Sequence, residues 1–192
     1  MIRRGLTLLL RLVPACVLAC ARPQPSPAPP PAPAEPLAPA APIRHAAGEI
    51  LDLTVPLAGG GGLSLRDLRG RVVVLELTSA ALPSWPATFA FYNDLLRHHG
   101  ADRLAVIVVA VDPERAPLSP EPELRRHGFE LGWDPQGALA ARLQVAAFPT
   151  VLVLDQAGRI VLASAGQPRD DDAVADAVRA LLAAPPPPGT PG

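Results

Sequence analysis

Glu76 stands inside the apolar run Val72-Val73-Val74-Leu75-Glu76-Leu77. A carboxyl group buried in such a strand binds its proton more tightly than one in water, which suits a proton acceptor. The same residue is equally readable as a strand-end acid, exposed or paired with an arginine, with no chemistry to perform. Downstream, Ser79-Ala80-Ala81-Leu82-Pro83-Ser84-Trp85-Pro86 has the residues of a helix start. Ser84 is a candidate N-cap, and Pro86 fits a first turn. Trp85 is either an aromatic contact offered to a partner or a plug that fills core volume. The chain has two cysteines, Cys16 and Cys20, both far upstream of this segment. That excludes an intrachain disulfide framework, a cysteine-ligated zinc site and a cysteine nucleophile in the body of the protein. His98 and His99 are adjacent at a predicted helix end, so they point about 100° apart and cannot share a metal. Helix C-terminal capping suits them better, and His127, which precedes Gly128, reads as another helix end. His45 belongs to the segment before the domain. No His-x-x-x-His pair, paired carboxylates or Ser-His-Asp set emerges, so neither a metal nor a cofactor is expected. Asp170-Asp171-Asp172 reads as an acid cluster suited to a helix N-terminus. Gly59 to Gly62 follows a short strand and opens no helix, so it reads as a hairpin turn rather than a phosphate loop.

The elements that position these residues follow an α/β pattern. Residues 72–77, 104–111, 150–154 and 160–162 are apolar and rich in β-branched side chains. Their continuous rather than alternating character predicts strands buried on both faces. Asp155-Gln156-Ala157-Gly158 between the last two predicts a hairpin. Helices are expected over residues 85–98, 136–144 and 171–183. The first places Phe89, Tyr92 and Leu96 on one stripe, with Phe91 and Leu95 beside it. The last places Val174, Val178 and Leu181 on another.

Proline is 26 of 192 residues, and ten of these fall within residues 21–42. A segment so rich in proline cannot form a regular hydrogen-bond ladder. It is expected to be an extended tether of ~3.1 Å per residue, spanning up to roughly 70 Å. A low-complexity insertion in an Ala/Pro/Arg-biased chain has the same composition. All 17 basic residues are arginine, and with 18 acids the formal charge is −1. That balance excludes a nucleic-acid protein with a basic face. The domain is expected over residues 46–184, followed by a proline-rich tail over 185–192.

Two resemblances add to this reading. Val17-Leu18-Ala19-Cys20, after the basic Arg3-Arg4 and a mostly apolar stretch too short to span a bilayer, resembles the lipobox of bacterial lipoproteins. The resemblance implies a signal peptide over residues 1–19 and lipidation of the Cys20 thiol, with residues 20–45 as the tether. It also implies a place on the periplasmic side of the inner or outer membrane. An ordinary secretory signal or an uncleaved anchor remains the other reading of this segment.

The second resemblance lies in the domain. Leu65-Arg66-Asp67-Leu68-Arg69-Gly70-Arg71-Val72-Val73-Val74-Leu75, Phe148-Pro149-Thr150 and Asp155-Gln156-Ala157-Gly158-Arg159-Ile160, in this order, resemble the TlpA/ResA-type and redoxin branch of the thioredoxin-like superfamily. The match runs through most of residues 51–166. It implies a central mixed sheet flanked by helices, here with an N-terminal strand or hairpin extension. It also implies a cis bond before Pro149, a binding edge at Phe148, Pro149 and Thr150, and a buried acid at Glu76. Family members carry W-C-x-x-C at the helix start, where the helix N-terminus favours a thiolate. On this alignment Leu82 and Trp85 occupy the two sulfur positions, and Pro83 keeps the family's proline. Val111-Asp112-Pro113-Glu114-Arg115 and Trp85-Pro86-Ala87-Thr88 are similar to segments of the Sco copper chaperones. On that alignment Ala81 and Trp85 occupy the sulfur positions. Thiol–disulfide exchange and thiolate coordination of copper both need sulfur that the domain lacks. The expectation is a redox-inactive accessory lipoprotein that binds a protein or peptide partner in envelope protein or cytochrome-oxidase maturation. A TlpA-class oxidoreductase and a Sco-like copper chaperone are the alternatives that fold resemblance alone implies.

Overall fold

The computed structural model describes residues 47–114, 128–166 and 169–184. The expectations for the signal peptide, Cys20, the tether, His45, His127 and the proline tail lie outside these residues. All described residues belong to the part of the chain running from Leu37 to Gly192.

The framework is a five-stranded mixed sheet. Strand β3, Val72–Thr78, lies at its centre between β4, Leu104–Ala110, and β6, Thr150–Leu154. All three are buried along their whole length. Their unbroken apolar runs therefore have a physical cause: both sheet faces are covered. β4 runs parallel to β3 and β6 antiparallel to it. β5, Glu130–Trp133, pairs with β4 on one edge, and β7, Ile160–Ala165, pairs with β6 on the other.

Alternation along β3 divides the core in two. Val72 and Val74 join a cluster with Phe89, Tyr92 and Leu96 of α1, Trp85–His99, and with Val174, Val178 and Leu182 of α3, Asp171–Ala183. Val73, Leu75 and Leu77 face the opposite cluster, with Leu139 of α2, Ala138–Arg142, and with Leu51, Leu53, Val55 and Leu65 of the N-terminal segment. Leu182, one residue beyond the expected Leu181, completes the α3 stripe. Leu181 is partly buried and packs against the same cluster. α2 is also shorter than the expected 136–144, since Gly137 takes a left-handed conformation at its start.

The N-terminal extension is a hairpin of β1, Thr54–Pro56, and β2, Gly62–Ser64, with the glycine run as its turn. β2 leads into a 3-10 turn, Leu65–Leu68, at whose start the Ser64 hydroxyl accepts from the Arg66 N–H and the Leu53 carbonyl from the Leu65 N–H. The hairpin covers the outer edge of β5 through a Leu57–Gly132 bridge and an Ala58 N–H···O=C Leu131 bond of 2.8 Å. A Cβ at Gly132 would stand 2.8 Å from Val109 Cγ2 and 2.9 Å from the Pro56 carbonyl, so only glycine fits there. Among the described residues, no helix is long and apolar enough to cross a membrane.

Candidate functional site

The segment between β3 and α1 is held by a neighbour in space. β4 ends beside β3, with Ala110 opposite Thr78. The chain continuing from β4 therefore delivers Asp112 next to the loop. Asp112 Oδ1 accepts from the Ser79 hydroxyl at 2.6 Å, and Oδ2 accepts from the Ala80 N–H at 2.8 Å. Its carbonyl accepts from Trp133 Nε1 at 2.8 Å. The Asp112 motif, read from sequence as a copper-chaperone likeness, here anchors the helix-start loop. Asp112→Ala is expected to cost about 1–3 kcal/mol, because charge-assisted hydrogen bonds are lost. Urea unfolding reads this directly, and a loss below about 0.5 kcal/mol, the range of surface substitutions, would deny Asp112 that role.

From this loop the Leu82 N–H donates to Ser79 O at 3.1 Å, and the Trp85 N–H to Leu82 O at 3.0 Å. Leu82 is half-buried. Trp85 is 9% exposed and meets Phe89 edge-on at 4.9 Å between ring centroids. Phe89 in turn packs on Phe129 at 5.1 Å. The indole is thus built into the helix-side core rather than displayed to a partner. Ser84 does not cap α1 as expected. Its backbone angles, −76° and −8°, are helical, and a capping side chain needs the extended conformation to fold back on the first turn.

Glu76 points from β3 into the same face and is fully buried. Its Oε2 accepts from the Tyr92 hydroxyl at 2.6 Å and from Arg169 Nη1 at 2.9 Å. Nη1 also donates to Thr88 Oγ1 at 2.8 Å, and Arg169 Nε pairs with Asp171. The Arg169 side chain is 8% exposed and lies 4.8 Å over the Phe91 ring and 5.0 Å over Tyr92. Glu76 Oε1 has no hydrogen-bond partner among the described residues. Burial raises the Glu76 pKa, and the Arg169 charge with the Tyr92 and Arg169 hydrogen bonds only partly opposes it. Burial and the nearby Glu76 charge push the Tyr92 hydroxyl well up. For Arg169, burial works against the charge, but the Asp171 hydrogen bond and Glu76 outweigh it, so its pKa is raised. Glu76 therefore combines both of its sequence readings: it is a buried acid, and it is paired with an arginine.

On the far side of β3, the Phe148–Pro149 bond is cis. Pro149 O accepts from the Gly166 N–H at 2.9 Å, and the Thr150 hydroxyl donates to Ala147 O at 2.7 Å. Thr150 sits in the ladder opposite Leu77 and is fully buried. Phe148 is half-buried and packs with the α2-side cluster, whereas Trp85 belongs to the α1/α3-side cluster. The two rings do not share one surface. Among the described residues, the Phe148 N–H and C=O take no intrachain hydrogen bond, which leaves them as a short unpaired edge. Arg169, Tyr92 and Asp112 were not singled out as site residues from sequence. Arg169 directly precedes the Asp170–Asp172 run, and that juxtaposition was the one available signal. No group of three or more histidine, cysteine, aspartate or glutamate side chains suited to a metal occurs among the described residues.

No family model and no curated protein matches the chain. Solved structures do. A Chlorobium tepidum protein assigned as a thiol:disulfide interchange protein DsbE superposes with a TM-score of 0.62 at 22% identity, covering 71% of this chain and 98% of its own. A secreted Mycobacterium tuberculosis disulfide oxidoreductase homologous to E. coli DsbE gives 0.57 at 16% identity, covering 67% and 96%. The pneumococcal exposed lipoprotein thioredoxin of Streptococcus pneumoniae gives 0.53 at 20% identity, covering 68% and 100%. These likenesses agree with the strand order, the cis-proline and the flanking helices: the chain has the thioredoxin-like fold.

Proposed function

We propose that this chain is a thioredoxin-like binding module that has no thiol chemistry of its own. One observation carries the reading. The start of α1, where oxidoreductases of this fold place sulfur, holds Leu82 and a core-packed Trp85, and both cysteines of the chain lie at positions 16 and 20. Thiol–disulfide exchange needs a thiolate to attack and a second sulfur to resolve. The oxidoreductase names of the structural neighbours speak for the fold. A copper-handling role lacks the same soft donors at Ala81 and Trp85.

What the fold retains is an edge. Phe148 presents a half-buried ring beside the cis Pro149, and its N–H and C=O take no hydrogen bond among the described residues, the pattern that adds an extended peptide to a sheet. The partner is an extended segment of another protein, held during envelope protein or cytochrome-oxidase maturation. Titration of the full chain with reduced, carboxymethylated lactalbumin, an unfolded polypeptide without free thiols, tests this by NMR. The Phe148 amide and its neighbours in the cis-proline loop are expected to shift. Shifts confined to other faces, or none, would remove the peptide-binding reading.

The module is lipid-anchored through Cys20 and held off the membrane by residues 20–45. Two of the neighbours are by name a secreted protein and an exposed lipoprotein, which agrees with an envelope location. Acyl chains at ~0.8 kcal/mol per buried CH₂ give stable attachment when two are present. Cys20→Ser is expected to move the protein from the detergent phase to the aqueous phase. A variant that partitions like the wild type would remove the anchor.

A further inference from the structure

The buried cluster around Glu76 has an imbalance that no part of the proposed binding role uses. One cation, Arg169, is shared by two carboxylates, Glu76 and Asp171. Asp171 is 45% exposed on its side chain, whereas Glu76 is fully buried. Water can therefore solvate the first and not the second. Among the described residues, β4, β6, α1 and the start of α3 face Glu76. β4 and β6 place Val108 and Val151 directly beside it. α1 contributes Tyr92, which donates to Oε2, and Thr88, which bonds Arg169. The start of α3 contributes Arg169 and Asp171. Among the described residues nothing donates to Oε1, so it is the atom on which a proton can sit.

The geometry points to a proton-operated clasp, in which ionised Glu76 holds Arg169 and the start of α3 against β3 and α1, and a solvent proton taken up at Oε1 loosens that hold. The bookkeeping is simple: one proton is bound, no bond between heavy atoms changes, and Arg169 keeps its pairing with Asp171. The Arg169 and Tyr92 bonds to Oε2 then meet a neutral acid, and the attraction between opposite charges is gone. The raised Glu76 pKa brings this event closer to neutral pH than for an ordinary carboxyl group. The chain segment that leads to Arg169 also carries Gly166, which is bonded to Pro149 O.

Hydrogen exchange of the full chain across pH 4 to 8, corrected for intrinsic rates, tests the clasp alongside a carbon-13 NMR titration of the Glu76 carboxyl. These pH limits are about those over which a raised carboxyl titrates. The Val174 amide and its successors in the first turns of α3 are expected to lose protection about tenfold on acidification, with the midpoint of Glu76. The Val74 and Val106 amides in the sheet report global opening and correct for it. Asp170 caps α3 by accepting from the Ala173 N–H, and this cap is present in wild type and variants alike. Glu76→Gln removes the titrating carboxyl, so α3 protection is expected to be low at every pH in it. Arg169→Met, if the Gln variant does not fold, is expected to show the same low and flattened response. A Glu76 titration that leaves α3 protection unchanged, or a wild-type pH response in either variant, would overturn the clasp.

Discussion

Arg169→Met is expected to destabilise the protein by about 3 kcal/mol at about pH 8, the cost of breaking a buried ion pair, and by much less at about pH 5. The side chain removed is the countercharge of Glu76 at 2.9 Å and a cation over the Phe91 and Tyr92 rings. Methionine keeps much of the apolar stem, so the lost charge dominates. The sign with pH follows from linkage. Folded Glu76 already has a raised pKa, and losing Arg169 raises it further. A raised folded value means the contribution to stability is full below the unfolded carboxyl value of about 4.3 and is lost as pH rises through the folded value. The deficit of the variant must therefore grow from acid to neutral pH. Urea unfolding of both proteins at the two pH values measures it. An equal deficit at both would mean that Arg169 acts through packing alone.

The second large effect is expected at Trp85. Trp85→Ala should cost about 3–5 kcal/mol, because it removes a large ring from a closed cluster. The indole lies edge-on against Phe89, which is braced by Phe129, so the gap cannot close cheaply. A fall in Tm on the order of 10 °C follows for a domain of this size. A change within about 0.5 kcal/mol, the range of surface substitutions, would show that Trp85 is not a core residue and would return it to the role of a partner contact.

Much of the fold was legible because its signals are local. β3, β4 and β6 are continuous apolar runs, and such runs occur where both faces of a strand are covered. The α1 stripe and the hairpin before Ile160 are similarly encoded within a dozen residues. β5 was not legible. Its four residues include Gly132, kept small by Val109 and the Pro56 carbonyl, which are distant in sequence. The site divides the same way. Glu76 stood out as an acid in an apolar strand. Its partner Arg169 lies 93 residues away and Asp112 lies 33 residues from Ser79, so only tertiary structure pairs them. Ser84 had the right residue type for a cap, but the turn from Ser79 delivers it in a helical conformation.

The claim that the fold has been kept without its thiol chemistry is tested most directly by insulin reduction. The protein to use is the full chain with Cys16→Ser and Cys20→Ser, compared with the same chain carrying Leu82→Cys and Trp85→Cys and shown by circular dichroism to be folded. The first should reduce no insulin above background. The second should form a disulfide, for which Cα atoms must stand about 4.4–6.8 Å apart, and should gain slow but measurable reductase activity, since a helix N-terminus lowers a thiol pKa. Insulin reduction by the cysteine-free chain, or a folded double-cysteine chain whose thiols never pair, would contradict the account.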